Sequence, residues 1–166
     1  MGPRAPSSRR LEPLHYVDAG VLTIAYYEAG PADGPAVILL HGFPYDIHSY
    51  VDVAPMLAAQ GCRVIVPYLR GYGPTRFRDS ATPRSGEQAA IGADLMALMD
   101  ALSIPRAVFA GYDWGGRAAC IGGAVARALH RARLRQFLSH PEYCEGDGAG
   151  EGGAGSGALV SILLPA

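Results

Sequence analysis

Apolar residues fall into short runs separated by turn residues from residue 14 to about residue 121. Residues 14–18 and 21–28 (VLTIAYYE) are two β-rich runs flanking Ala19-Gly20, and they predict an antiparallel hairpin. The loop Gly30 to Pro35 ends it. Ala36 to Leu40 (AVILL) is a continuous apolar run, the pattern of a strand buried on both faces. Ser49 to Gln60 reads as a helix with Gly61 as its cap. Arg63 to Pro67 (RVIVP) reads as a second buried strand, and Leu69 to Arg76 as a glycine-rich turn. Ser85 is expected to cap a helix over 86–102, where Ile91, Leu95, Leu98 and Met99 recur at helical spacing. Ile104 to Ala110 predicts a further strand, Gly111 a tight turn, and a helix follows from Gly115.

The resulting order, β-β-β-α-β-α-β-α, implies an α/β fold with a mostly parallel sheet, helices on both faces and an N-terminal antiparallel hairpin. Right-handed crossovers bring the C-terminal ends of the parallel strands to one edge, where open α/β sheets bind ligands. His41-Gly42-Phe43-Pro44 and Gly111-Tyr112-Asp113-Trp114-Gly115-Gly116 both follow such strand ends.

The second motif has the small-x-nucleophile-x-small-small form of a nucleophile elbow. Glycines are needed where a strand turns sharply into a helix and backbones crowd. The central residue is then held in a strained conformation at the sheet edge, before a helix N-terminus that favours negative charge. Here that residue is Asp113. A carboxylate in this position can attack an electrophilic sp3 carbon and form a covalent alkyl ester. Hydrolysis of that ester needs an oxyanion hole, a histidine base and an acid to orient it. The backbone N–H of Trp114 is one natural donor for the hole, and that of Phe43 the other.

HGFP, RGYG (Arg70 to Gly73) and YDWGG, in that order on those elements, resemble the epoxide hydrolase and haloalkane dehalogenase branch of the α/β-hydrolase superfamily. The resemblance runs from about residue 14 to residue 121. It implies a three-layer α/β-hydrolase fold, with Asp113 as nucleophile and Phe43 and Trp114 as the oxyanion hole. His41, Gly42, Pro44, Gly111, Gly115 and Gly116 support the two turns. It implies no metal and no organic cofactor, and a small-molecule substrate of the epoxide or alkyl halide class. Phe43 stands where dehalogenases of this kind often carry a halide-binding asparagine, which favours epoxide chemistry. The indole of Trp114 keeps halide chemistry open. The family's epoxide-protonating tyrosines lie in a cap region, so none of Tyr26, Tyr27, Tyr50 or Tyr68 takes that role. His41 reads as a structural residue of the oxyanion loop, Arg70 as a local pairing or capping residue, and His15 and His48 have no distinguishing context.

Composition narrows the field further. Hydrophobic residues make up 49% and charged residues 17% of the 166, enough for a sizeable core. A net charge of −1 gives no footprint for nucleic acid or an anionic membrane, and the basic run Arg127 to Arg135 reads as a solvated helix face. No stretch is apolar for long enough to span a bilayer, and no apolar run follows the basic first residues as a secretory signal requires. The odd cysteines Cys62, Cys120 and Cys144 read as reduced thiols, which with the absent signal suggests the cytoplasm. Oligomeric state is not legible.

Three segments are expected: a disordered 1–13, an α/β-hydrolase core over 14–121, and an aberrant, partly disordered 122–166. Glu145 to Gly157 is nearly all glycine, acid and small residues and cannot bury a face. The family's acid and histidine follow later strands. His130, His140, Asp147 and Glu151 fall in the wrong context for those roles, so the chain is expected to be truncated and inactive in turnover. The abrupt Ala/Arg/Gly bias after Ile121 is read as a frame slip near Gly122. Gly-Gly-Ala-Val-Ala-Arg read one base on permits Ala-Ala-Leu-Trp-Pro-Glu, a family-like continuation. Gene sequence across codons 118–126 decides it, and a shifted frame full of stops ends the idea. With no strand expected beyond Ala107–Ala110, that edge is expected to be open and prone to aggregation. A non-catalytic binding module and a product without function are the competing readings.

Overall fold

The computed structural model describes residues 10–128 and 132–134. The hairpin forms as β1 (Leu14–Ala19) and β2 (Leu22–Ala29), turning at Gly20 with φ +56°. Then come β3 (Ala36–Leu40), a 3-10 turn (Ile47–Tyr50), α1 (Val53–Ala59) and β4 (Arg63–Pro67). A two-residue β5 (Arg76–Phe77), α2 (Gln88–Ala101), β6 (Ala107–Gly111), α3 (Trp114–Ala128) and β7 (Ala132–Leu134) complete the order.

These strands form one sheet in the order β1-β2-β4-β3-β6-β7, with β5 added to β2. β3 pairs parallel with β4 and β6, and β6 parallel with β7; the N-terminal hairpin joins antiparallel through β2 and β4. The period-two pattern sorts side chains between two cores. Ile38 and Leu40 of β3, Ile65 of β4 and Phe109 of β6 pack with Ile91, Leu95, Leu98 and Met99 of α2 and Ala118 and Ala119 of α3. Val37 and Leu39, with Val64 and Val66, pack on the other face with Ile47, Ala54 and Leu57. The molecule is therefore three-layered, with α2 and α3 on one side of the sheet and α1 on the other.

Several boundaries differ from the sequence reading for identifiable reasons. The helix expected over Ser49–Gln60 is split, because Asp46 caps the 3-10 turn through His48 N–H and α1 begins at Val53. Pro55 lacks an N–H and fits only a first turn, so a helix begun at Ser49 would be broken there. Ser85 does not cap α2 directly. Its carbonyl accepts from Arg70 Nη1 at 2.6 Å, its hydroxyl accepts from Glu87 N–H at 3.2 Å, and the helix starts at Gln88. At the other end α2 closes in a Schellman arrangement: Ser103 N–H bonds Asp100 O, Ile104 N–H bonds Met99 O, and Ser103 takes φ +53°. Ile104 is thus spent on the helix cap, and β6 starts only at Ala107.

The expected open edge of Ala107–Ala110 is corrected over most of its length. β7 pairs with Ala107, Val108 and Phe109. The boundary expected after Ile121 falls inside the continuous helix α3, and Gly92 and Leu95 of α2 abut Ile121 and Gly122. Leu11, inside the segment expected to be disordered, is buried with the α1-side core. Of the cysteines, Cys62 is a buried free thiol, whereas Cys120 is disulfide-bonded, against the expectation of reduced thiols. His130, His140, Cys144, Asp147, Glu151 and the glycine-rich tract lie outside the described residues.

Candidate active site

β3 and β6 are adjacent and parallel, yet the chain visits β4, on the far side of β3, between them. The sheet therefore switches direction between β3 and β6, the point where a crevice opens beyond the strand ends. Leu40 and Gly111 are cross-strand partners at that end, so the loops that follow them start side by side.

From Gly111 the chain turns through Tyr112 and Asp113 directly into α3. Asp113 takes φ +50°, a left-handed conformation that aspartate tolerates better than most residues. Arg117 N–H bonds Asp113 O at 3.0 Å, so Asp113 is the residue preceding the first helical turn. The N–H groups of Trp114, Gly115 and Gly116 then head α3 with no carbonyl one turn back to receive them.

Backbone crowding explains the glycines. A Cβ on Gly115 would lie 2.0 Å from Leu40 O, one on Gly111 2.7 Å from Gly115 O, and one on Gly42 2.7 Å from Asp113 Cβ. The absence of a Cβ at these three contact points lets the 41–44 segment press against the turn at Asp113. The result is a hydrogen bond from Phe43 N–H to Asp113 Oδ2 at 2.8 Å. The Phe43–Pro44 peptide is cis, and the Phe43 ring is exposed. Gly115 and Gly116 are buried at the head of α3.

His41 is wholly buried. Its Nε2 accepts the Leu69 N–H at 3.1 Å, which leaves the proton on Nδ1, 3.4 Å from Gly42 O. Tyr72 packs edge-on against the ring at 4.7 Å. Burial lowers its pKa, and nearby carbonyls and Asp46 only partly offset that. A neutral imidazole whose acceptor nitrogen is already engaged holds the loop and does not serve as a base. His48 is paired with Asp46 at 3.0 Å, and His15 lies on β1 at the far edge against Tyr26. Burial works against the Asp46 charge, but the His48 N–H and imidazole hold its pKa below the usual carboxylate value.

Arg70 does more than pair locally. Its Nε and Nη2 grip both oxygens of Asp94 in α2 at 2.6 and 2.7 Å, and it also donates to Ser85 O and Ala90 O. Burial pushes the Asp94 carboxyl up while the guanidinium pulls it back. The RGYG turn is thereby fastened to α2, and Leu69, immediately before that turn, bonds His41 through its N–H.

Sequence reasoning missed several supporting groups. Tyr50 donates its hydroxyl to Leu40 O at 2.8 Å, and Tyr112 donates its own to Ser49 Oγ at 2.9 Å. Thr75, buried, accepts from Ala25 N–H and donates to Tyr68 O. None of these pairs carries a spacing signal, because each joins segments that only the fold brings together. Trp114 packs partly buried beside the α2–α3 core with the Arg117 guanidinium 4.8 Å over its ring. Beside the 41–44 segment, Pro44, Tyr45, Asp46, His48 and Ser49 line an open cleft of about 380 Å³. Among the described residues no group of three or more His, Cys, Asp or Glu is arranged to hold a metal ion. No helix among them is long and apolar enough to cross a membrane.

Comparisons with known proteins identify the fold family. Residues 35–125 match the family model described as the alpha/beta hydrolase fold. Epoxide hydrolase A of Mycobacterium tuberculosis is 35% identical over 133 residues, covering 71% of this chain and 40% of that protein. A haloalkane dehalogenase of Mycobacterium marinum is 36% identical over 129 residues, covering 69% and 41%. Among solved structures, a candidate epoxide hydrolase from Klebsiella pneumoniae is 52% identical with a TM-score of 0.71, over 76% of this chain and 42% of that one. The chain thus spans about two-fifths of the length of these relatives. A family match over more than half of the sequence, on a sheet whose strand ends carry both motifs, makes this chain a member of the alpha/beta hydrolase fold family.

Proposed function

We propose that the chain carries the nucleophile half of an epoxide hydrolase-like active site, with Asp113 as the residue alkylated by substrate. The observation that carries this reading is the 2.8 Å bond from Phe43 N–H to Asp113 Oδ2 at the head of α3. It divides the two carboxylate oxygens. Oδ2 is engaged by the amide, and Oδ1 is the oxygen left to attack. In the proposed step Oδ1 bonds to an epoxide carbon, the C–O bond of the ring breaks, and the released alkoxide takes a proton from solvent. Oδ2 becomes the ester carbonyl oxygen, already on Phe43 N–H, with Trp114 N–H as the second donor when a tetrahedral oxyanion forms.

Hydrolysis of the ester needs a base. Among the described residues, His41 and His48 are engaged as above and His15 is at the opposite edge of the sheet. The ester is therefore expected to persist on this chain, with turnover requiring a histidine and an acid that the described residues do not supply. Small epoxides are the expected substrate class. An alkyl halide is the second reading, supported by the Mycobacterium marinum relative and by Trp114 next to the nucleophile.

Intact-mass spectrometry after incubation with an aryl epoxide tests this directly. The chain should gain the full mass of the epoxide, mapped by peptide sequencing to Asp113, and the Asp113→Asn chain should gain nothing. An alkyl halide should instead add its alkyl group with loss of the halide. Labelling spread over other carboxylates and thiols, with Asp113 untouched, would remove the proposal.

A further inference from the structure

The oxyanion segment is short, and its geometry depends on where it is anchored. Leu40 O is the anchor on which three parts of the site converge. The Tyr112 N–H, from the elbow, reaches it only at a long 3.4 Å. The Gly115 backbone presses against it closely enough that a Cβ there would be 2.0 Å away. The Tyr50 hydroxyl, from the 3-10 turn, donates to it at 2.8 Å. Only His41 and Gly42 separate this carbonyl from the Phe43 N–H that meets Asp113.

Tyr50 itself is held in place from the same two sides. Its ring lies 6.2 Å from that of Tyr112, whose hydroxyl donates to Ser49, the residue next to Tyr50. The 3-10 turn therefore grips the elbow through Ser49 and the oxyanion segment through Tyr50. We propose that Tyr50 is a positioning residue: its hydroxyl fixes the Leu40 carbonyl and so holds the Phe43 N–H on the Asp113 carboxylate. This deepens the reading of Asp113 as nucleophile and rests on it for its chemical consequence, but the hydrogen-bond geometry can be tested without any reaction. Tyr50 is partly buried, and that burial raises its pKa, so it stays a proton donor throughout the neutral range.

The alternative is that Tyr50 is merely a core tyrosine whose hydroxyl needs an acceptor. Amide hydrogen exchange in the 15N-labelled chain separates the two. In Tyr50→Phe, the Phe43 amide should exchange about three- to tenfold faster, the range set by loss of one net hydrogen bond, while the β1–β2 amides keep their protection. Ile47→Val, which loosens the packing of the same turn without touching the hydroxyl, should leave Phe43 unchanged relative to its neighbours. The rate of Asp113 labelling by the epoxide should fall by a similar factor in Tyr50→Phe and not in Ile47→Val. Unchanged Phe43 exchange in Tyr50→Phe, or a rise shared equally by all amides, overturns the proposal. If the unmodified chain shows no labelling at all, the nucleophile reading fails while the Phe43 exchange still decides the role of Tyr50. Should Tyr50→Phe not fold, Tyr112→Phe breaks the second grip and must raise Phe43 exchange selectively; if it does not, the proposal falls.

Discussion

Gly115→Ala is the substitution that most directly probes the packing of α3 against β3. A Cβ at this position would sit 2.0 Å from Leu40 O, 2.4 Å from Leu40 C and 2.5 Å from His41 O. All three are backbone atoms of the central strand and its exit, so no side chain can swing aside. To restore ordinary contact the helix must retreat by roughly 1.4 Å, in an interior packed too tightly to absorb that. Overpacking of this kind costs up to about 3 kcal/mol, offset by about 1 kcal/mol of better helix propensity, for a net loss of about 2 kcal/mol. For a domain of this size that lowers Tm by roughly 8 °C. The retreat carries Asp113 away from Phe43 N–H, so labelling by epoxide should fall with stability. Urea denaturation followed by tryptophan fluorescence measures the first, since Trp114 is the chain's single tryptophan. Gly86→Ala is the matched control: nothing lies within 4 Å of a Cβ built there, and stability should stay level or rise by about 0.5 kcal/mol. A Gly115→Ala chain as stable as Gly86→Ala, with Asp113 still labelled, would refute the claimed approach of helix to strand.

Two further outcomes follow from buried ionisable groups. Arg70→Met leaves Asp94 buried without its guanidinium, at a cost of about 3–5 kcal/mol, and the double variant Arg70→Met/Asp94→Leu should recover most of that; denaturant midpoints of the two chains check it. His41 gives a pH dependence with a definite sign. Burial lowers its pKa in the folded chain, so below about pH 6.5 the unfolded chain takes up the proton first. Stability should be flat in this respect above that pH and fall below it, by at most about 1.4 kcal/mol per pH unit until the folded pKa is reached. His41→Gln, whose amide oxygen can accept the Leu69 N–H, should flatten that part of the profile.

The parts of the site that were legible in the sequence are those encoded by neighbours. A strand that ends in a glycine, a polar residue and more glycines can hardly do anything but turn sharply, and both HGFP and GYDWGG could be placed on strand ends from pattern alone. The parts that were not legible are the ones that join distant segments. Arg70 and Asp94 are 24 residues apart, Tyr112 and Ser49 63, and Ala25 and Thr75 50. Hydrophobic periodicity carries no information about such pairs. Short elements were lost for a related reason: two or three residues, as in β5 and β7, are fewer than a period-two pattern needs to show itself. The α1 boundary was recoverable in principle, because Pro55 already forbade a helix running through it from Ser49.

The arrangement around Asp113 separates shape from chemistry in a way that decides which control is informative. The start of the 41–44 segment is bonded by Tyr50 at Leu40 O and by Leu69 N–H at His41 Nε2, and α3 is seated by glycines against β3. None of these ties uses the carboxylate. The one bond that does, from Phe43 N–H, needs only an acceptor oxygen, which an amide also provides. The left-handed backbone at this residue suits asparagine as well as aspartate. Asp113→Asn is therefore expected to keep the elbow, the Phe43 bond and the fold. It replaces the anionic oxygen assigned to the attack with a poorly nucleophilic amide group. Loss of labelling in that chain, alongside an unchanged denaturant midpoint and unchanged Phe43 amide exchange, isolates the carboxylate charge as the reactive feature. A chain that loses labelling and stability together would instead mean that the charge itself holds the turn.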